Sequence, residues 1–133
     1  MKFLISFLCC VLAMLPLSAS GNGKSKLKGA HMQFENTEYD FGEVSRRDSD
    51  KSYTFRFVND GTEPLVILSA TTTCSCLKVA VPRKPIAVGA KGEIRLTLET
   101  KKVEKGLFRR IVQIRSNSVG GTVIITIKGI AKD

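Results

Sequence analysis

From Gln33 onward the chain alternates apolar and polar residues with a period of two, and turn residues break the alternation at short intervals. Tyr39 and Phe41 share one face. Tyr53, Phe55 and Phe57 alternate with Thr54, Arg56 and Val58, and Ile94, Leu96 and Leu98 alternate with Glu93, Arg95, Thr97 and Glu99. Leu77–Val81 alternates and stops before Pro82; Ile111–Arg115 and Val123–Ile127 close the series. Asn59-Asp60-Gly61, Gly89-Ala90-Lys91-Gly92 and Asn117-Ser118-Val119-Gly120-Gly121 punctuate it. A period of two is what a half-buried strand needs, because successive side chains point to opposite sides of a sheet. Strands in series without helices between them lack the crossover elements that parallel neighbours need. The pattern therefore predicts an all-β, antiparallel immunoglobulin-like β-sandwich of about seven strands. Leu65-Val66-Ile67-Leu68 has no polar alternation and predicts a strand buried on both faces. The expected core is Tyr39, Phe41, Phe55, Phe57, Leu96, Leu98, Val112, Ile114, Ile125 and Ile127.

The segment before this pattern has a different character. Residues 1–20 read as a signal peptide: Lys2 is followed by the apolar run Phe3–Leu17 and by small residues at Ser18-Ala19-Ser20. The run is too short for a stable transmembrane helix, so none is expected after cleavage. Cys9 and Cys10 lie inside the run and read as small apolar filler. Residues 21–32 are rich in Gly and Lys, which predicts a flexible basic tether. Residues 33–133 then form the sandwich domain. The expected location is exported, either periplasmic or secreted.

One feature carries chemistry. Cys74-Ser75-Cys76 follows Thr71-Thr72-Thr73, and these are the only cysteines after residue 20. Residues i and i+2 of a strand share a face, but their Cα atoms lie about 6.6 Å apart, at the upper edge of what a disulfide spans. A bridge would need a bend at Ser75. The pair can be a local clip or packed thiols, a thiol–disulfide redox site, a Cu(I) site of two thiolates, or a point of thiol attachment. Zinc needs four ligands, and no second pair completes such a set. His31 and Met32 could extend a copper site, yet nothing in the sequence places them near Cys74.

Composition narrows the rest. The formal charge is +9. Lys101, Lys102, Lys105, Arg109 and Arg110 fall across an expected hairpin and form a candidate basic patch for an anionic glycan or lipid headgroup. The aromatic–basic interleaving of RNA-binding modules is missing, so nucleic acid is not an expected partner. The acids are scattered, the sole His lies outside the expected folded core, and no glycine-rich phosphate loop leads into a helix. These absences argue against an enzyme.

Taken together, several segments resemble a bacterial family of exported Ig-like domains of unknown function that carries a Thr-x-Cys-x-Cys motif. They are Tyr39-Asp40-Phe41-Gly42, Phe55-Arg56-Phe57-Val58-Asn59, Pro64-Leu65-Val66-Ile67, Thr72-Thr73-Cys74-Ser75-Cys76, the turn from Pro85 to Gly92, and Ile127-Lys128-Gly129. The likeness spans about residues 33–131. Ser75 stands where the family has Gly, and Val88 where it has Pro. The resemblance implies the fold and export but no activity. A more distant likeness to chaperone-type and cilia-associated Ig-like modules implies a protein partner bound at a strand edge or loop end. Processing supplies the first test. N-terminal sequencing of the exported protein should begin at about Gly21, and a mature chain starting at a lipid-modified Cys10 would refute the signal-peptide reading.

Overall fold

The structure, a computed structural model, describes residues 28–133; the expected signal peptide and most of the expected tether lie outside the described residues. Eight strands follow in order: β1 (Met32–Phe34), β2 (Glu38–Ser45), β3 (Lys51–Asn59), β4 (Ile67–Thr71), β5 (Leu77–Ala80), β6 (Lys91–Leu98), β7 (Gly106–Ser116) and β8 (Val123–Lys132). A short 3-10 turn, Thr100–Lys102, joins β6 to β7. The strands form two four-stranded sheets, ordered β1-β3-β6-β5 and β2-β8-β7-β4.

The alternation sets which residues lie between the sheets. Phe55 and Phe57 of β3 and Ile94, Leu96 and Leu98 of β6 face Val112 and Ile114 of β7 and Ile125 and Ile127 of β8, all fully or almost fully buried. Removing that apolar surface from water is the main favourable contribution to folding. The expected core is right at eight of its ten positions, while Tyr39 and Phe41 are only partly buried. Those two help to close one flank of the sandwich: Tyr39 stacks on Tyr53 at 3.7 Å between ring centroids and meets Phe41 edge-on at 5.0 Å. Val44, Val103 and Phe108 join the core without having been expected there.

Four expectations need correction. β2 pairs with β8 in parallel, although every other pair is antiparallel. The parallel partners come from the two ends of the domain, so the intervening strands serve as the connection and no single crossover is needed. β1 and the start of β7 add to the seven expected segments, since β7 begins at Gly106 rather than near Ile111. The Leu65–Leu68 run is not buried on both faces: Leu65 is fully buried but Leu68 is 64% exposed. β4 is an edge strand, and a bulge between Ile67 and Ser69 turns Leu68 out of the ladder. Finally, the domain begins before residue 33: Met32 opens β1, and Ala30 and Met32 are buried.

One buried amide explains the early start. Asn59 is fully buried. Its Oδ1 accepts from the backbone N–H of His31 at 3.2 Å and of Gly61 at 3.1 Å. Its Nδ2 donates to the carbonyls of Glu63 at 2.8 Å and Ile86 at 3.0 Å. All four capacities of the amide are used, so the residue ties the N-terminal segment, the β3–β4 turn and the β5–β6 connection together. Gly61 permits this closeness, because a Cβ there would collide with the backbone of Gly29 and His31.

The alternation predicts opposite outcomes at neighbouring positions. Phe57→Ala should lower unfolding free energy by about 3–5 kcal/mol, because it opens a cavity between the sheets. Arg56→Ala, whose side chain is exposed beside Glu93, should change it by about 0.5 kcal/mol. Urea unfolding of both variants checks this; equal losses would refute the facing of β3.

Candidate functional site

β4 and β5 are the edges of different sheets on the same flank of the sandwich, and the chain crosses between them through Thr72–Cys76. The cysteines lie on this crossing. Their sulfurs are at bonding distance, and the Cα atoms are 5.2 Å apart, closer than in an extended strand. The required bend is a turn: the N–H of Leu77 donates to the carbonyl of Cys74 at 3.3 Å. Thr72 Oγ1 receives the N–H of Cys74 at 3.3 Å, and Cys74 Sγ receives the N–H of Cys76 at 3.2 Å. The crossing is anchored to the other sheet where the N–H of Glu99 donates to the carbonyl of Cys76 at 2.7 Å.

The two sulfurs have different surroundings. Cys76 is 1% exposed and belongs to the apolar core. Cys74 is partly exposed and lines a surface cleft of about 510 Å³ with Thr73, Ser75, Lys102, Glu104, Arg109, Arg110 and Ile111. The register explains the meeting. β4 leaves β7 after the pair Thr71–Gln113, and the chain then passes Ile111 and Arg110.

The candidate basic patch is divided by this geometry. β6 and β7 belong to different sheets, so the five residues do not lie across a hairpin. Lys102, Arg109 and Arg110 line the cleft; Lys101 and Lys105 do not. Lys105 pairs with Asp133 at 2.7 Å, and Arg109 lies 3.8 Å from Glu38. Lys102 pairs with Glu99 at 2.7 Å, and Lys78 reaches the same carboxylate at 3.0 Å. Hydrogen bonds from Lys102 and then Lys78 hold the Glu99 carboxyl below the ordinary carboxylate range. Arg110 has no carboxylate partner among the described residues, and its Nη1 donates to the carbonyl of Arg109 at 3.0 Å.

His31 and Met32 do not meet the cysteines. His31 bonds to Asp60, and Met32 pairs with Asn59, at the end of β3 away from Lys51. The cysteine turn is anchored beside Leu98, which pairs with Lys51 at the opposite end. The two places are thus separated by the length of a strand, about 25 Å. Among the described residues no group of three or more His, Cys, Asp or Glu is arranged to hold a metal ion.

A second surface, which the sequence reading missed, is the outer face of the β2-β8-β7-β4 sheet. Leu107, Ile111, Ile124 and Ile130 point outward from β7 and β8, and Leu107 is 86% exposed. Leu107 lies directly across from Ile130, and Arg109 across from Lys128. Beside them a recess of about 410 Å³ is bounded by Leu107, Ile130, Gly42 and Glu43. It lies where β2 bulges between Asp40 and Glu43. Gly42 adopts φ +69° there, and the Asp40 carboxylate accepts its N–H at 2.7 Å. Outward apolar residues at alternate positions are visible in the sequence, but a period of two does not say which face is covered.

Fold and site together define an Ig-like sandwich whose open flank is closed by a Cys-x-Cys turn. The chain belongs to the family described as protein of unknown function (DUF1573), whose profile matches residues 32–131. No curated protein matches it. A protein of unknown function from Porphyromonas gingivalis W83 is similar at 18% identity and TM-score 0.70, over 82% of this chain and 51% of that one. The secreted serine protease VesC from Vibrio cholerae is similar at 16% identity and TM-score 0.56, over 77% of this chain and 23% of that one. The ASH/PapD-like domain 7 of human CEP192 is similar at 10% identity and TM-score 0.61, over 90% of this chain and 97% of that domain. The chain spans about half of the first of these and about a quarter of the second. At such identities the likeness shows the fold alone. Among the described residues no helix is long and apolar enough to cross a membrane.

Glu99 generates a pH prediction. Its carboxyl titrates lower in the folded protein, so its stabilising effect is present above the unfolded value of about 4.3 and is lost as pH falls through the folded value. Glu99→Gln should therefore be less stable than the parent at pH 7, and the difference should narrow below about pH 4.5. Urea midpoints across pH check it; a gap that widens in acid would refute the pairing.

Proposed function

We propose that the domain is an exported, non-catalytic module that binds a protein segment on the outer face and free edge of the β2-β8-β7-β4 sheet. The observation that carries this reading is the group of large aliphatic side chains left in water on that face: Leu107, Ile111, Ile124 and Ile130, with Leu68 on the edge strand β4. Keeping such side chains exposed favours association, and grouped apolar patches of this kind mark interaction surfaces. The edge strands β2 and β4 also offer unpaired backbone groups to an added strand. Arg109 and Lys128, which share the single carboxylate of Glu38, lie between the Leu107–Ile130 pair and Ile111 and would favour a segment that carries acidic residues among aliphatic ones. The signal-peptide pattern of residues 1–20 supports export.

Site-specific photocrosslinking in the producing cell tests the reading. A photoreactive residue at Leu107 should give a discrete protein adduct, whereas one at exposed Lys84, outside this sheet, should not. Leu68→Glu should remove the Leu107 adduct and leave the urea midpoint within about 0.5 kcal/mol of the parent, as surface substitutions do. Identical adducts from both positions, or none from Leu107, would refute the surface.

A further inference from the structure

We infer that Cys74 and Cys76 form an asymmetric thiol–disulfide exchange site selective for anionic small thiols and disulfides. Cys74 is the exchanging sulfur and Cys76 the resolving one. Three observations converge on this assignment. The bridge joins a partly exposed sulfur to a buried one. The cleft reaches Cys74 but not Cys76. Lys102, Arg109 and Arg110 line the same cleft against one carboxylate, Glu104. The inference does not rest on the binding face proposed above: it concerns a different chemistry, although Arg109 and Ile111 border both surfaces.

The chemistry follows from access and charge. In the oxidised protein an incoming thiolate R–S⁻ can reach only Cys74 Sγ. The new R–S–S–Cys74 bond forms, the bond between Cys74 and Cys76 breaks, and its electron pair goes to Cys76 Sγ. A buried sulfur is a poor place for charge, so Cys76 takes a proton and remains a thiol. A second R–S⁻ attacks the R sulfur of the mixed disulfide, giving RSSR and the Cys74 thiolate. The protein gains two electrons and one proton, which Cys76 carries, and the other proton of the two RSH goes to solvent. In reverse, the Cys74 thiolate attacks RSSR and expels R–S⁻; Cys76, losing its proton, then displaces the second R–S⁻ and re-forms the bridge. The neighbouring cations stabilise the Cys74 thiolate and attract a carboxylate on R. Arg110 is the strongest contributor, because it has no carboxylate partner among the described residues, whereas Lys102 is held by Glu99.

The experiment uses a pair of aliphatic disulfide probes of opposite charge, dithiodiglycolate (a dianion) and cystamine (a dication). Each reacts with the full chain carrying Cys76→Ser, and peptide mass mapping follows the mixed disulfide at Cys74. The anion-to-cation rate ratio is divided by the same ratio for the chain unfolded in urea, which removes the intrinsic reactivity of the probes. The corrected ratio should be about tenfold at low salt and should fall toward one in molar salt. Arg110→Gln should lower it severalfold, and Glu104→Gln should raise it. Opposite effects from two substitutions in one cleft are not what a merely structural role produces. In the Cys74→Ser chain, Cys76 should react at least tenfold more slowly than Cys74 does in the Cys76→Ser chain, because it is buried. Should Cys76→Ser fail to fold, reduction of the parental bridge by mercaptoacetate against cysteamine reads the same ratio without substitution. A corrected ratio of one at low salt, no response to Arg110→Gln, or equal reactivity of the two cysteines would each overturn the assignment.

Discussion

The fold depends on one constraint: every second residue of β3, β6, β7 and β8 must leave water together. Two sheets facing each other satisfy this at once, with Phe55, Phe57, Leu96 and Leu98 against Val112, Ile114, Ile125 and Ile127. Two layers held mainly by their facing rows still have open flanks where the edge strands lie. The aromatic group of Tyr39, Phe41 and Tyr53 covers one flank. The crossing through Cys74 and Cys76 covers the other, which is why a feature of so few residues lies beside the core and the surface at the same time.

Asn59 shows how a polar group can organise such a core. A fully buried amide is costly unless all of its hydrogen-bonding capacity is used, and here it is used by three separate segments. The loops at that end are therefore held in place relative to one another. The opposite end is organised by charge: Glu99 collects Lys78 and Lys102 and donates its own N–H to Cys76. The cysteine cleft thus sits on an end of the sandwich where ion pairs, rather than a buried amide, set the loop positions.

The two proposed surfaces draw on different physics and adjoin at Arg109 and Ile111. The outer sheet face offers apolar area and open strand edges, which suit a peptide or protein segment. The cleft offers one reachable sulfur among cations, which suits a small anionic reactant. Arg109 lines the cleft and also faces outward opposite Lys128, so it lies on the boundary between them.

The sequence alone determined the alternation, and with it the all-β sandwich, eight of the ten expected core positions and the two-residue spacing that lets Cys74 and Cys76 meet. Those are local properties: a period of two and a spacing of two residues can be read without knowing what lies opposite. Tertiary structure decided the rest. It made Leu68 an exposed edge residue although its neighbours Leu65 and Ile67 turn inward, because edge and centre are assigned only when strands find partners. It paired β2 with β8 in parallel across most of the chain's length. It turned Asn59 from an apparent turn residue into the hub of one end. It also separated Lys102, Arg109 and Arg110 from Lys101 and Lys105 and placed them beside Cys74. Which sulfur meets solvent, and which charges surround it, depends on residues distant in sequence; local periodicity carries no record of them.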